Sequence, residues 1–153
     1  MFTKRKSIKQ IEEGKDLAPK FDKTGLIPVI TTDYKNGNVL MHGYMNRQAL
    51  KKTIETGEVY YWSRSRKTIW HKGATSGFIQ KVKEIRIDDD QDAIWVKVLT
   101  KASCHVGYKS CFYRSIPLGK IDNARQIKMN FEEKEKKFDP KKVYKDQSNP
   151  TKI

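Results

Sequence analysis

Cysteine is scarce in this chain, and a long apolar run is absent from it. Two cysteines cannot form the disulfide framework that stabilises many small secreted domains, and few, clustered cysteines are more typical of metal binding or catalysis. The mean hydropathy of −0.79 and the lack of a long apolar run exclude a transmembrane helix. The N-terminus is basic, but no apolar segment follows it, so we expect no secretory signal and a cytoplasmic protein.

Acidic residues are outnumbered, because 32 Lys and Arg against 18 Asp and Glu give a net charge of +14. Most of this excess lies on residues 25–127 rather than on the two ends. A basic surface attracts nucleic acid or a small polyanionic molecule, and it is also what a solvated face without a ligand looks like. Composition leaves these three interpretations open. No RNP, KH or zinc-finger pattern accompanies the basic residues, which argues against nucleic acid.

The chain divides into three regions by composition. Residues 1–24 form a polar N-terminal arm, residues 25–117 carry the apolar patterns of a folded domain, and residues 118–153 form a lysine-rich C-terminal extension. A chain of 153 residues is long enough for one domain with a hydrophobic core and too short for two. We expect the extension to be a helix that grades into disorder.

The patterns within residues 25–117 favour β-structure with one helix. Residues 26–32 and 39–41 flank an Asn-Gly turn signal and predict a hairpin. Asn46 is a typical N-cap and Gly57 a typical end of a short amphipathic helix. Residues 78–87 alternate between apolar and polar side chains, as a half-buried strand does. The prediction is a single α+β domain with an antiparallel, β-rich core.

Four aspartates lie within five residues, in the connection between two predicted strands. The run is Asp88, Asp89, Asp90, Gln91 and Asp92. In extended backbone Asp88, Asp90 and Asp92 project to one side, where like charges repel unless a cation or basic groups neutralise them. Carboxylates suit Mg²⁺, Ca²⁺ or Mn²⁺, but the glycine and the closing glutamate of an EF-hand are missing. A solvated acidic turn is the alternative.

Both cysteines lie in a second stretch, at Cys104 and Cys111, with His105 beside the first and Gly107 allowing a turn between them. Thiolate and imidazole suit Zn²⁺, but the spacing is not that of a zinc finger, and these three groups leave a tetrahedral site one ligand short. The acidic run of the same or of another chain could lend the missing ligand. A zinc site with three protein ligands and a water would be catalytic. Two buried apolar cysteines are the alternative.

Residues 63–77 form a basic segment that is rich in phosphate-binding groups. Guanidinium groups, hydroxyls and glycine-exposed amides bind phosphate, and Trp70 or His71 could stack on a base. A basic loop without a ligand is the alternative. The candidate substrate-binding residues are Ser63, Arg64, Ser65, Arg66, Trp70, His71, Lys72, Gly73, Thr75, Ser76 and Gly77.

Several motifs in order, over roughly residues 26–116, resemble the phosphoribosyl-AMP cyclohydrolase family of histidine biosynthesis. Besides the acidic run, they are Leu40–Asn46, Ala49-Leu50, Thr53, Thr56-Gly57, Tyr61–Arg66, Trp70–Gly73, Thr75–Gly77 and Cys104–Phe112. The resemblance implies an intertwined homodimer with zinc sites at the subunit interface and a requirement for Mg²⁺. The implied reaction is hydrolytic opening of the adenine ring of 1-(5-phosphoribosyl)-AMP at the N1–C6 bond.

The resemblance also implies roles for individual residues. Cys104 and Cys111 match zinc ligands, Asp88, Asp90 and Asp92 match magnesium ligands, and the residues of the basic segment would hold phosphate, ribose and base. His105 is the candidate for moving a proton to N1, because imidazole titrates near neutral pH. The alternative for His105 is to orient a zinc ligand.

One position departs from the family pattern. The family usually places a third zinc-binding cysteine between the first two aspartates, and Asp89 stands there. Either Asp89 replaces it as a zinc ligand, since a carboxylate binds zinc, or Asp89 joins the magnesium group and zinc takes a histidine. The alternatives to the cyclohydrolase are a nucleotide-binding paralogue with a changed substrate or no turnover, and a basic nucleic-acid-binding protein.

Overall fold

The computed structural model describes residues 2–122, 125–151 and 153. In chain order its elements are α1 (Ile8–Glu12), β1 (Leu26–Asp33), β2 (Val39–Asn46), α2 (Arg47–Thr56), β3 (Tyr60–Ser63), β4 (Thr68–His71), β5 (Lys81–Ile87), β6 (Ile94–Leu99), β7 (Arg114–Ser115), β8 (Asn130–Phe131) and α3 (Pro140–Tyr144). In this part of the chain no helix has both the length and the apolar character needed to cross a membrane. The predicted β-rich α+β domain is confirmed.

The main sheet has the strand order β2-β1-β6-β5. The hairpin of β1 and β2 and the pair β5 and β6 are antiparallel, as predicted. The prediction of an antiparallel sheet is wrong at the centre, where β1 and β6 run parallel, with Val29 opposite Ile94. β1 buries most of its side chains and β6 buries every second one, as expected for strands in the interior of a sheet. Hydrophobic alternation identifies strands but does not say how distant strands pair.

The predicted helix is α2, and its two ends are set by the predicted caps. The Asn46 side chain accepts a hydrogen bond from the amide of Ala49 (2.8 Å), and Gly57 ends the helix with φ of 70°, a left-handed conformation that favours glycine. The buried hydroxyl of Thr53 donates to the Ala49 carbonyl (2.9 Å) and accepts from the amide of Tyr60 (3.0 Å). This threonine therefore joins α2 to β3.

A chain of buried polar side chains runs from the sheet to the loop that contains the cysteines. The Tyr61 hydroxyl lies 2.6 Å from the Thr31 hydroxyl and donates to the side-chain carbonyl oxygen of Gln80 (2.8 Å). The Gln80 amide in turn donates to the Ser103 hydroxyl (2.9 Å). Burial raises the pKa of Tyr61 well above its ordinary value. Each group has a partner, so the chain fixes the start of the cysteine loop against the core.

The N-terminal arm packs against the acidic run. The buried side chain of Gln91 accepts from the amide of Ala18 (2.8 Å) and donates to the carbonyls of Ile11 and Asp16 (3.1 Å each). The arm and the turn therefore hold each other in place.

The C-terminal extension differs from its expectation. Within the described residues it forms the short strand β8 and the five-residue helix α3 rather than a long helix. β8 pairs with β7, and the ring of Phe131 packs on those of Tyr108 and Tyr113. The extension thus lies on the cysteine loop.

Candidate functional site

The two cysteines lie at the ends of a tight loop between β6 and β7. The amide of Ser103 donates to the carbonyl of Lys109 (2.9 Å), and that of Cys104 donates to the carbonyl of Tyr108 (3.2 Å). Gly107 turns the chain with φ of 108°, and a Cβ there would lie 2.6 Å from the carbonyl oxygen of Phe138 in the extension. The turn places the Cys104 and Cys111 thiols close enough for each to shift the pKa of the other.

Two neighbouring elements hold this loop. From β2, the Leu40 carbonyl accepts the amide of Cys111 (2.7 Å), and the Val39 carbonyl accepts the Ser110 hydroxyl (2.7 Å). From β1, the buried carboxylate of Asp33 pairs with the ammonium of Lys109. Burial alone would raise the pKa of Asp33, but its hydrogen bonds to the ammonium of Lys109 and to the amide of Lys35 keep that pKa below the ordinary value. The cysteine positions are therefore set by the sheet.

The thiol pair has the chemistry of a soft metal site. The neighbouring Cys111 lowers the pKa of the Cys104 thiol below its ordinary value, and Cys104 in turn raises the pKa of Cys111. Cys104 is buried and Cys111 reaches the surface. Two adjacent sulfurs with one open side fit half of a tetrahedral zinc site.

Lys72, a candidate phosphate ligand, has a structural role in this chain. Its side chain is buried, its ammonium donates to the carbonyl of Ser103 (2.6 Å), and it lies 4.8 Å from the ring centre of Trp70. Burial lowers the pKa of Lys72, while the two cysteines oppose that shift. Lys72 therefore joins β4 to the start of the cysteine loop.

The acidic run is a tight turn, so the extended backbone assumed for it is wrong. A carboxylate oxygen of Asp88 accepts the amides of Asp92 (2.8 Å) and Ala93 (3.0 Å), and Gln91 has φ of 60°. The carboxylates of Asp88, Asp89 and Asp90 offer oxygens that all lie within 4.8 Å of one another. Asp89 thus stands with two of the predicted magnesium ligands, and Asp92 lies outside this group. Such a set of oxygens fits a hard cation.

A basic residue of the arm reaches the acidic turn, which sequence reasoning missed. The Lys20 ammonium lies 3.2 Å from a carboxylate oxygen of Asp90 and 3.5 Å from one of Asp92. These contacts raise the pKa of Lys20, chiefly through the hydrogen bond to Asp90. The arm therefore supplies part of the neutralising charge that the run requires.

The acidic turn and the thiol pair do not meet within one chain. Among the described residues, no group of three possible metal ligands combines a carboxylate of the turn with a cysteine. A single chain therefore brings together two sulfurs in one place and three carboxylates in another.

The basic segment contains the hairpin of β3 and β4 and a following turn. The guanidinium of Arg64 lies 4.2 Å from the ring centre of Tyr44, and that of Arg66 donates to the Ser63 hydroxyl (3.2 Å). Ser65 lies in the exposed loop between the strands. Trp70 is half-buried and packs against Tyr61. The arginines and hydroxyls of this segment face solvent, where they can meet a ligand.

His71 is already engaged by neighbouring side chains. Its ring stacks on Tyr60 at 4.3 Å between centres, and its Nε2 lies 2.8 Å from a carboxylate oxygen of Glu58. This leaves the ring little freedom to stack on a base. The turn after it contains Gly73, Thr75, Ser76 and Gly77, and the amide of Gly77 donates to the Gly73 carbonyl (2.8 Å).

The C-terminal extension reaches three parts of the predicted site, a role that sequence reasoning did not assign to it. The Glu133 carboxylate accepts backbone amides of the cysteine loop, the Tyr144 hydroxyl bonds to Ser76, and the Thr151 hydroxyl lies 3.4 Å from Nε2 of His105. Burial lowers the pKa of His105 below its ordinary value. No local motif marks these residues, because each contact joins positions far apart in sequence.

Comparison with known proteins gives one consistent family. The model of the phosphoribosyl-AMP cyclohydrolase family matches residues 41–113. A phosphoribosyl-AMP cyclohydrolase of Rhodopseudomonas palustris (strain ATCC BAA-98 / CGA009) is 54% identical over 136 residues, 88% of each chain. One of Nitrobacter winogradskyi is 47% identical over 140 residues, 91% of this chain and 94% of its own. These alignments are long enough to enter both the arm and the extension.

We predict that the ion pair of Asp33 and Lys109 stabilises the fold in a pH-dependent way. Asp33→Asn keeps an acceptor for the Lys35 amide but removes the charge, and it should lower the unfolding free energy at pH 7 by about 1–3 kcal/mol. Because the folded-state pKa of Asp33 is lowered, the difference from wild type should be full above about pH 4 and shrink below it. Urea unfolding at several pH values measures this. Asp139→Asn, at the exposed cap of α3, is the control; equal unfolding curves for wild type and Asp33→Asn would refute the prediction.

Proposed function

This chain belongs to the phosphoribosyl-AMP cyclohydrolase family, and on that premise we propose how its residues carry out the reaction. It is a hydrolase of histidine biosynthesis that opens the adenine ring of 1-(5-phosphoribosyl)-AMP at the N1–C6 bond. Hydrolysis joins a water oxygen to C6 and puts a proton on the departing N1. The observation that supports this mechanism is the position of the two cysteines at the ends of a tight loop, which backbone hydrogen bonds close and join to β2.

Cys104 and Cys111 are the proposed sulfur ligands of a zinc ion. When bound, zinc supplies a Lewis acid that makes water nucleophilic at neutral pH. Two sulfurs do not complete a site, and the surface position of Cys111 leaves its open side accessible. We therefore propose that a second copy of the chain closes the site, in an intertwined homodimer.

Asp89 is the proposed third protein ligand, donated by that second copy. It stands at the position where the family usually has a cysteine, and its carboxylate is exposed at the acidic turn. Its own chain keeps it apart from the thiol pair. A carboxylate is a harder ligand than a thiolate, so we expect zinc to be held less tightly than by three cysteines.

Asp88, Asp90 and Asp92 are the proposed magnesium ligands. The carboxylates of Asp88 and Asp90 already lie close together, and Asp92 follows two residues later in the same turn. Lys20 contacts Asp90 and Asp92 in this structure, so Mg²⁺ would displace it from them. The lysine weakens the repulsion among these carboxylates when the cation is absent.

The substrate is proposed to bind along the basic segment. The excess positive charge of the chain attracts a molecule with two phosphate groups. Arg64, Arg66 and the exposed hydroxyls suit phosphate. His71 and Lys72 would shape the surface rather than bind the ligand, because their polar atoms are occupied. His105, next to Cys104, is the proposed carrier of the proton to N1, since imidazole both accepts and donates.

Two further points follow from the same proposal. A cytoplasmic location suits two reduced thiols in contact, which an oxidising compartment would join. The identity of 47–54% with cyclohydrolases argues against a nucleic-acid-binding protein, and an activity assay distinguishes the enzyme from a paralogue without turnover.

We predict turnover of phosphoribosyl-AMP by protein supplied with Zn²⁺ and Mg²⁺. Cys104→Ser should lower kcat at least about a hundredfold and release zinc, because a serine hydroxyl is a poor zinc ligand. Asp88→Ala should lower activity without releasing zinc. Absorbance assays of substrate loss and metal analysis of the same samples measure both. A metal-loaded wild type no faster than Asp88→Ala would refute the enzyme and favour the paralogue.

We predict that zinc content depends on Asp89. Asp89→Asn should lower zinc affinity about tenfold or more, because an amide is a weaker ligand than a carboxylate, and Asp89→Cys should raise it. Titration with a zinc chelator measures both affinities. Asp16→Asn, on the arm beside the turn, serves as a charge control. If both Asp89 variants bind zinc as wild type does, Asp89 is not a zinc ligand.

A further inference from the structure

The backbone that leads into Cys111 is held by a carboxylate of the C-terminal extension. One carboxylate oxygen of Glu133 accepts the amide of Lys109 (2.8 Å), and the other accepts the amide of Ser110 (3.1 Å). These are the last two amides before Cys111, so both bonds lie between the cysteines. Charge-assisted bonds of this kind are stronger than bonds between neutral groups.

Within the described residues, these two amides have hydrogen bonds to Glu133 and to no other acceptor. The amides of Cys104 and Gly107 are satisfied inside the loop, and that of Cys111 is satisfied by β2. The amides of Lys109 and Ser110 point instead toward the extension. In this geometry each amide has its own carboxylate oxygen, and a glutamine in the same position would present its NH₂ to one of the two amides. The carboxylate therefore completes the hydrogen bonding of the loop.

The extension fixes Glu133 on both sides. Before it, β8 pairs with β7, and the amides of Glu132 and Glu133 donate to the carbonyl of Tyr113 (2.8 and 3.3 Å). After it, the amide of Lys137 donates to the carbonyl of Gly107 (2.7 Å). The segment thus crosses the cysteine loop and is bonded to it at several points. Relatives align with the chain far enough to include part of this extension.

We propose that Glu133 is a positioning residue of the metal centre, which keeps Cys111 beside Cys104 by binding the two amides before it. The inference rests on the proposed role of the two cysteines as zinc ligands. It extends the active site to the C-terminal extension, which lies outside residues 41–113 matched by the family. Without the carboxylate, the loop would still be anchored at Cys111 but free to shift before it. Zinc binding would then have to order the loop and would be weaker.

The test compares the full chain with Glu133→Gln and Glu133→Asp, and Glu135→Gln is the matched control. Glu135 is exposed two residues along the same segment, and its substitution makes the same change in charge. Hydrogen exchange of the Lys109 and Ser110 amides is measured in metal-free protein, and zinc affinity is measured by chelator competition. In Glu133→Gln both amides should exchange hydrogen at least about tenfold faster than in wild type, and zinc should bind about 10–100-fold more weakly. Glu135→Gln should have the exchange rates and the zinc affinity of wild type.

The two readouts separate this inference from the proposed function. Wild type that binds zinc, with both Glu133 variants binding it equally well, overturns the positioning role and leaves the zinc site standing. Wild type that binds no zinc overturns the zinc site and this inference together. Glu133→Asp keeps the carboxylate and its charge but shortens the side chain by one methylene. Weaker zinc binding in this folded variant would show that the position of the carboxylate matters and not only its charge. Circular dichroism verifies that each variant is folded.

Discussion

The contact between the thiols of Cys104 and Cys111 is the constraint on which the site depends. Two cysteines seven positions apart meet only if the chain between them is turned and held, which costs conformational entropy. Contacts with five residues offset this loss of entropy. They are the Leu40 carbonyl of β2, the Asp33 carboxylate of β1, the bonds of Gln80 and Lys72 to Ser103, and the Glu133 carboxylate. The fold therefore delivers a preformed pair of sulfurs.

The acidic turn is built on the opposite principle. Its carboxylates repel one another, and the turn holds them together through backbone bonds to Asp88, the buried side chain of Gln91 and the ammonium of Lys20. A bound cation would neutralise these charges and so remove the repulsion. The thiol pair and the turn lie apart in one chain, so a centre that uses both must draw on two chains. This is the chemical reason for the homodimer that we propose.

Local signals made much of this predictable from sequence. The hairpin of β1 and β2, the caps of α2, the acidic connection between β5 and β6, and the cysteine loop each rest on residues close together in the chain. The parallel pairing of β1 with β6 does not, and neither do the contacts of Lys72 with Ser103, Glu133 with Lys109, or Lys20 with Asp90, which span 31, 24 and 70 residues. The basic segment and the family motif predict Lys72 as a ligand-binding residue, but neither distinguishes it from a buried structural lysine, and no pattern in the sequence singles out Lys20. The family resemblance predicts the site residues but gives the extension no part in the site.

The central claim is that the metal centre is shared by two chains. Mixing two variants that are each impaired in zinc binding tests this claim most directly. Chains with Cys104→Ser and chains with Asp89→Asn are refolded together in equal amounts, and zinc content and turnover are measured. A heterodimer of the two would contain one site with both the intact cysteines and the intact aspartate. The account predicts recovery to about one quarter of wild type, since half of the dimers are mixed and one site in each is intact. Zinc content and turnover no higher than in the separate variants would contradict it.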